Sequence, residues 1–160
     1  MVATGTGAGL LQWLMLYKRV ETLRRLIAFV NRMGERIRYA AVPLDELLHE
    51  LSLSPEFLGW DFLEMLAGRP AEENGREQWM GMIGQHRREW GLTDEDEGLI
   101  CAFLGALGLG DVDGEWQFCH EYSQLLSKQL LQAEDALKGK GKAYLTLGIC
   151  VGSVTALLLW

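Results

Sequence analysis

Every Asp, Glu, Lys, Arg and His of this chain falls between Lys18 and Lys142. Neither Met1–Tyr17 nor Ala143–Trp160 carries one of these residues. Cations stand at both inner junctions, Lys18 and Arg19 at the first and Lys138, Lys140 and Lys142 at the second. One Lys at the centre of a membrane helix costs about 2.5–3.5 kcal/mol, whereas each Leu, Ile or Val contributes only about −0.3 to −0.6 kcal/mol. The absence of charge therefore constrains the ends more than their leucine content does. The pattern predicts an N-terminal membrane segment over 1–17, a soluble domain over 18–142 and a C-terminal transmembrane helix over 143–160.

The C-terminal block AYLTLGICVGSVTALLLW just reaches the length a bilayer core requires. Within it, Gly148 and Gly152 stand four apart. That small-residue face suits packing against another membrane helix, and it permits a homo-oligomer. The N-terminal block is glycine-rich and contains Gln12. It lacks the basic start and small-residue cleavage site of a signal peptide, so it reads as an uncleaved anchor. Positive flanks on the domain side place the domain in the cytoplasm.

The formal net charge of −7 belongs wholly to the middle. An acidic domain lacks the cationic footprint that nucleic acid demands. Three widely spaced cysteines with no CxxC argue against a disulfide framework and for packing roles.

From Val20, apolar residues recur at spacings of three and four: Val20, Leu23, Ile27, Val30, Gly34, Ile37 and Ala41, widened by Leu26 and Met33. That is one face of a helix. Arg24, Arg25, Arg32, Glu35, Arg36 and Arg38 occupy other positions, so this helix is basic in an acidic domain. Pro43 restarts a helix with Asp45 and Glu46 in its first turn. Ser54-Pro55-Glu56 predicts a third helix carrying Phe57, Leu58, Phe62, Leu63 and Leu66. A fourth holds Trp79, Met82, Ile83 and Trp90. Thr93 caps a fifth, with acids in its first turn and Leu99, Ile100, Phe103, Leu104 and Leu107 on its core face. Asp111 or Asp113 caps the last and longest, whose apolar positions are Trp116, Cys119, Tyr122, Leu126, Leu130, Ala133 and Leu137. No run alternates as a strand does. The domain reads as all-α, a bundle of about six short antiparallel helices.

No chemistry-bearing motif emerges. Asp111-Val112-Asp113-Gly114 fails as a calcium loop because its glycine falls too early and Tyr122 occupies the closing acid's place. Gly139–Lys142 lacks the upstream glycine and following hydroxyl of a phosphate loop. His49, His86 and His120 are scattered, with no HExxH. The reading is of a non-enzymatic protein with no cofactor and no metal.

Several short motifs, taken in order, resemble one family. They are Ile37-Arg38-Tyr39 with Pro43-Leu44-x-Glu46; Phe103-x-x-x-Leu107-Gly108-x-x-Asp111-x-x-Gly114; Ala133-Glu134; and Gly141-Lys142-x-Tyr144-x-x-Leu147-Gly148. On these residues the chain resembles the stage III sporulation protein AB family of endospore-forming Firmicutes. It departs from that pattern at Ala41-Val42, where the family has a glycine–hydroxyl pair, and at Glu115, where Gln is common.

The resemblance implies a soluble domain similar to the cytoplasmic domain of the type II secretion F component, itself a bundle of six helices. It implies a platform in the mother-cell and forespore membrane system, within a secretion-like complex. The expected partners are a cytoplasmic sporulation ATPase (stage III sporulation protein AA), other membrane subunits and lipid. The alternative is a single-domain platform of an ordinary type II secretion or type IV pilus system. The candidate partner surface is Arg24, Arg25, Arg32 and Arg36, with Glu46 and Asp111 as second choices.

Overall fold

A computed structural model describes residues 3–40, 42–69 and 73–158, with side chains over 11–39, 42–69, 75–111 and 113–140. It is all-helical: α1 Ala3–Ala40, α2 Leu44–Ser52, α3 Asp61–Ala67, α4 Glu73–His86, α5 Asp94–Ala106 and α6 Val112–Leu158. No strand occurs among the described residues.

The helices are not all short. α1 runs for 38 residues and α6 for 47, because nothing between Ala3 and Ala40, or between Val112 and Leu158, breaks the helical hydrogen-bond ladder. Both contain several glycines and no proline, and glycine alone weakens a helix without ending it. The two lie antiparallel. Lys140 Nζ donates to Gln12 Oε1 at 3.1 Å, Arg24 meets Glu134 at 2.7 Å, and the Arg38 guanidinium sits 4.7 Å from the Trp116 ring centroid. Gly34 lets the pair approach closely, since a Cβ there would stand 3.1 Å from Cys119 Cβ.

The core fills the space between this pair and two smaller hairpins, α2–α3 and α4–α5. Phe29 of α1 is its hub, edge-on to Phe57, Trp60 and Phe62. Edge-to-face pairs add about 0.5–1.5 kcal/mol each beyond the burial of their area. Phe103 of α5 stacks on Phe118 of α6. The expected seam holds at Val20, Leu23 and Val30, with Leu26 and Met33 also buried and Ile27 and Ile37 partly so. Ala41 lies outside the described residues. Phe29 extends the buried face to a second side, because α1 packs on the α2–α3 hairpin as well as on α6.

Two helix boundaries differ from expectation. Phe57 and Leu58 belong to a run of tight turns, with Phe57 N–H to Ser54 O and Trp60 N–H to Phe57 O, and α3 begins only at Asp61. Gly59 sits at φ +72°, which turns the chain away from a helix. α4 ends at His86, and Trp90 lies in the turn after it. Gly91, also at φ +72°, lets that turn press onto the α1 backbone beside Met15 and Arg19. Thr93 caps α5 as expected, in a reciprocal capping box with Asp96.

Among the described residues, no helix is long and apolar enough to cross a membrane. Most side chains of 1–17 and all those of 143–160 lie outside the described set.

Candidate functional site

The four candidate arginines share the outward side of α1, as their spacing requires, but each meets an acid of its own chain. Arg24 pairs with Glu134 at 2.7 Å and Arg25 with Glu21 at 3.2 Å. Arg32 reaches Glu35 at 3.2 Å and Glu56 at 3.3 Å, and Arg36 pairs with Glu50. The hydrogen bond that Arg24 donates to Glu134 raises its guanidinium above its ordinary pKa, and the bond that Arg32 donates to Glu56 does the same there. The stripe is therefore a ladder of exposed ion pairs joining α1 to α2, to the α2–α3 turn and to α6. Such exposed pairs are individually weak.

Glu46 is exposed in the first turn of α2. Asp111 caps α6, its Oδ1 accepting from Gly114 N–H at 3.2 Å. Neither adjoins the arginine ladder's Arg24 end. Gly148 and Gly152 fall within α6, but their packing lies outside the described residues.

Arg19 corrects the sequence reading. It stands at the junction as a flanking cation would, yet it is buried. Its Nε donates to Asp96 Oδ2 at 2.7 Å, and its Nη2 donates to Asp96 Oδ1 at 2.9 Å and Gln129 Oε1 at 3.0 Å. One guanidinium thus ties α1, α5 and α6 together. The signal was in the sequence: Arg19 lies four and seven residues before Leu23 and Leu26, on the apolar seam.

Glu115, which the sequence marks only as a departure from the family pattern, has a structural place of its own. It lies four residues before Cys119, on the apolar side of α6, and is buried. Its Oε1 accepts from Gly110 N–H at 2.9 Å, while Oε2 has no partner among the described residues. Glu115 lines a cavity of about 210 Å³ with Ile37, Val42, Leu44, Leu47, Gly108 and Gly110. Cys119, one turn on, is pushed up to about 12 by burial, with the Glu115 carboxylate adding to the shift.

No group of three or more His, Cys, Asp or Glu that could hold a metal occurs among the described residues. His86 stacks on Trp90 and contacts Met82 O, and His120 stacks on Trp116 beside Gln124. These are packing and surface roles.

The family model for stage III sporulation protein AB matches residues 1–160, the whole chain. The chain belongs to this family. No curated protein and no solved structure matches it. Membership assigns it to stage III of sporulation and agrees with the motifs that carried the resemblance. Two of those motifs have visible structural duties. Gly108 and Asp111 shape the turn from α5 into α6, and Glu134 anchors Arg24.

Proposed function

We infer that the protein is a non-enzymatic membrane platform of a sporulation secretion-like complex, coupling a cytoplasmic ATPase to membrane subunits. Family membership supplies the process. The observation that carries the rest is the antiparallel pairing of α1 with α6. Gln12 and Lys140 meet at one end of the domain, so the two uncharged blocks adjoin that same end. A domain whose charge-free extensions emerge together suits two anchors in one bilayer and a body hanging on one side. Lys18 and Lys138, both exposed, stand at that end as lipid-facing cations.

On this reading the domain occupies the mother-cell cytoplasm, and Arg24, Arg25, Arg32, Arg36, Glu46 and Asp111 are its partner surface. A partner's acids can displace the weak intramolecular pairs of α1 without disturbing the core. Gly148 and Gly152 serve packing between membrane helices or between copies of the chain. The likeness to the secretion F component belongs to the same proposal.

The test is a titration of the full chain in detergent micelles against the stage III sporulation protein AA ATPase of the same genome, following affinity and ATP turnover. Saturable binding, lost in the Arg24→Glu, Arg25→Glu double variant with its helical circular dichroism intact, is the expected result. Binding unchanged by that variant would remove the arginine surface. Absence of binding by the wild-type chain would remove the direct ATPase contact.

A further inference from the structure

The end of the domain opposite the Gln12–Lys140 contact is built differently from the arginine ladder. Residues 12 and 37 of α1 are roughly 38 Å apart at a rise of about 1.5 Å per residue. At this far end, the α1 C-terminus, the first turn of α2 and the α5–α6 turn enclose the cavity around Glu115. Its walls are mostly apolar (Ile37, Val42, Leu44 and Leu47), and its polar feature is a carboxylate with one oxygen unsatisfied. A buried acceptor without a donor is costly, and a carboxylate oxygen more so than a neutral one.

Among the described residues, none donates to Glu115 Oε2. Arg76, near Gly108, directs its Nη1 to the carbonyl oxygens of Leu104 and Gly105. Arg38 lies against the rings of Tyr39 and Trp116. The exposed acids Glu46, Asp111 and Asp113 are close sequence neighbours of lining residues. Tyr39 and Leu109, 81% and 73% exposed, offer apolar surface on the neighbouring turns.

We propose that this cavity is a socket for one long cationic side chain, lysine or arginine, of a partner protein. The apolar walls take the aliphatic stem, and the Glu115 carboxylate, turning its buried, unpartnered Oε2 towards the cavity, takes the charged head, as snorkelling side chains divide themselves. The volume fits one side chain and falls below that of small-molecule sites, roughly 300–1,000 Å³. The inference rests on the platform reading only for who the partner is; the socket itself is a property of this chain.

The test uses the full chain in detergent micelles with its glycines labelled by nitrogen-15, so that Gly108 and Gly110 report on the cavity. The probe is the peptide acetyl-Leu-Arg-Leu-amide, against the same peptide with neutral citrulline. Saturable shifts at both glycines are expected with arginine, and binding about tenfold or more weaker with citrulline, as loss of a charge-assisted pair implies. Glu115→Gln keeps the acceptor for Gly110 N–H and is expected to weaken binding equally. Val42→Phe, which fills the cavity and leaves Glu115 in place, is expected to abolish it. Equal binding by Glu115→Gln, equal binding of citrulline, or no shift at the two glycines would each overturn the socket. If the socket fails while the ATPase still binds the full chain, the platform reading stands without it. If the socket holds while the ATPase does not bind, the reverse follows.

Discussion

Arg19 and Asp96, 77 positions apart, form a two-pronged buried ion pair in which both carboxylate oxygens are used, at 2.7 and 2.9 Å. Asp96 Oδ2 also accepts from Thr93 N–H at 3.0 Å, so one side chain both caps α5 and fixes that helix to α1. Removing one partner of a buried pair strands the other charge, at a cost of about 3–5 kcal/mol. Asp96→Asn is therefore expected to lower unfolding stability by that amount in urea titrations. Arg19→Met is expected to cost at least as much as the Asp96 change, because it strands the fully buried Asp96 carboxylate, whereas the Arg19 guanidinium is 11% exposed and keeps its bond to Gln129 when Asp96 is changed. Equal, sub-kilocalorie effects from both would show that the pair is solvated.

The aromatic hub makes a second prediction. Phe29 touches three rings from the α2–α3 hairpin and its approach, and no other described residue joins that hairpin to α1 through so many rings. Phe29→Ala is expected to cost about 3–5 kcal/mol. Loss of near-ultraviolet circular dichroism from Trp60 at a lower denaturant concentration than global unfolding would show the hairpin detaching first.

What could be read in the sequence follows from how local each cause is. Caps, breaks and apolar periodicity act within a few residues, so six helices, the Thr93 cap and a cap at Asp111 or Asp113 were all legible. Trp90, taken for helix and found in a turn, was not, since the docking of Gly91 on α1 is a contact between distant segments. Arg19 shows the same limit from another side. A cation beside an apolar block looks like a membrane flank until its partners, 77 and 110 positions away, are in place. The arginine ladder had the right residues, but sequence spacing alone could not assign Glu134, Glu56 and Glu50 as their partners.

Three glycines give a graded series. Gly91 and Gly59 both hold φ +72°. A Cβ at Gly91 would overlap the Met15 carbonyl oxygen and stand 2.9 Å from Arg19 N, whereas nothing lies within 4 Å at Gly59. Left-handed backbone costs an L-residue about 1–2 kcal/mol. Gly59→Ala is expected to cost about that much, and Gly91→Ala clearly more, since the turn must also lift off α1. Gly81, mid-helix in open space, is expected to gain about 0.5–1 kcal/mol as alanine. Thermal melts that ranked Gly59→Ala below Gly91→Ala would contradict the docking of this turn.

The thiols give the last prediction, and its sign can be worked out. Burial raises both Cys101 and Cys119 above the ordinary thiol value, Cys119 to about 12. The thiolate is the reactive form, so at pH 8 the folded chain holds on the order of 10⁻⁴ of Cys119 as thiolate. In a Cys150→Ser background, iodoacetamide is expected to label half-buried Cys101 before Cys119, and Cys119 only as fast as the fold opens. A folded pKa above the unfolded one means the folded state holds its proton longer. Stability from this group is therefore complete below the unfolded value near 9 and declines as pH rises from there towards about 12. Replacing Cys119 with alanine should flatten that alkaline decline while costing stability at neutral pH through the lost packing against Gly34. Replacing Glu115 with glutamine should lower the Cys119 value, because one of its two causes is the carboxylate. An unchanged alkaline limb in both variants would mean that Cys119 is not the group that titrates there.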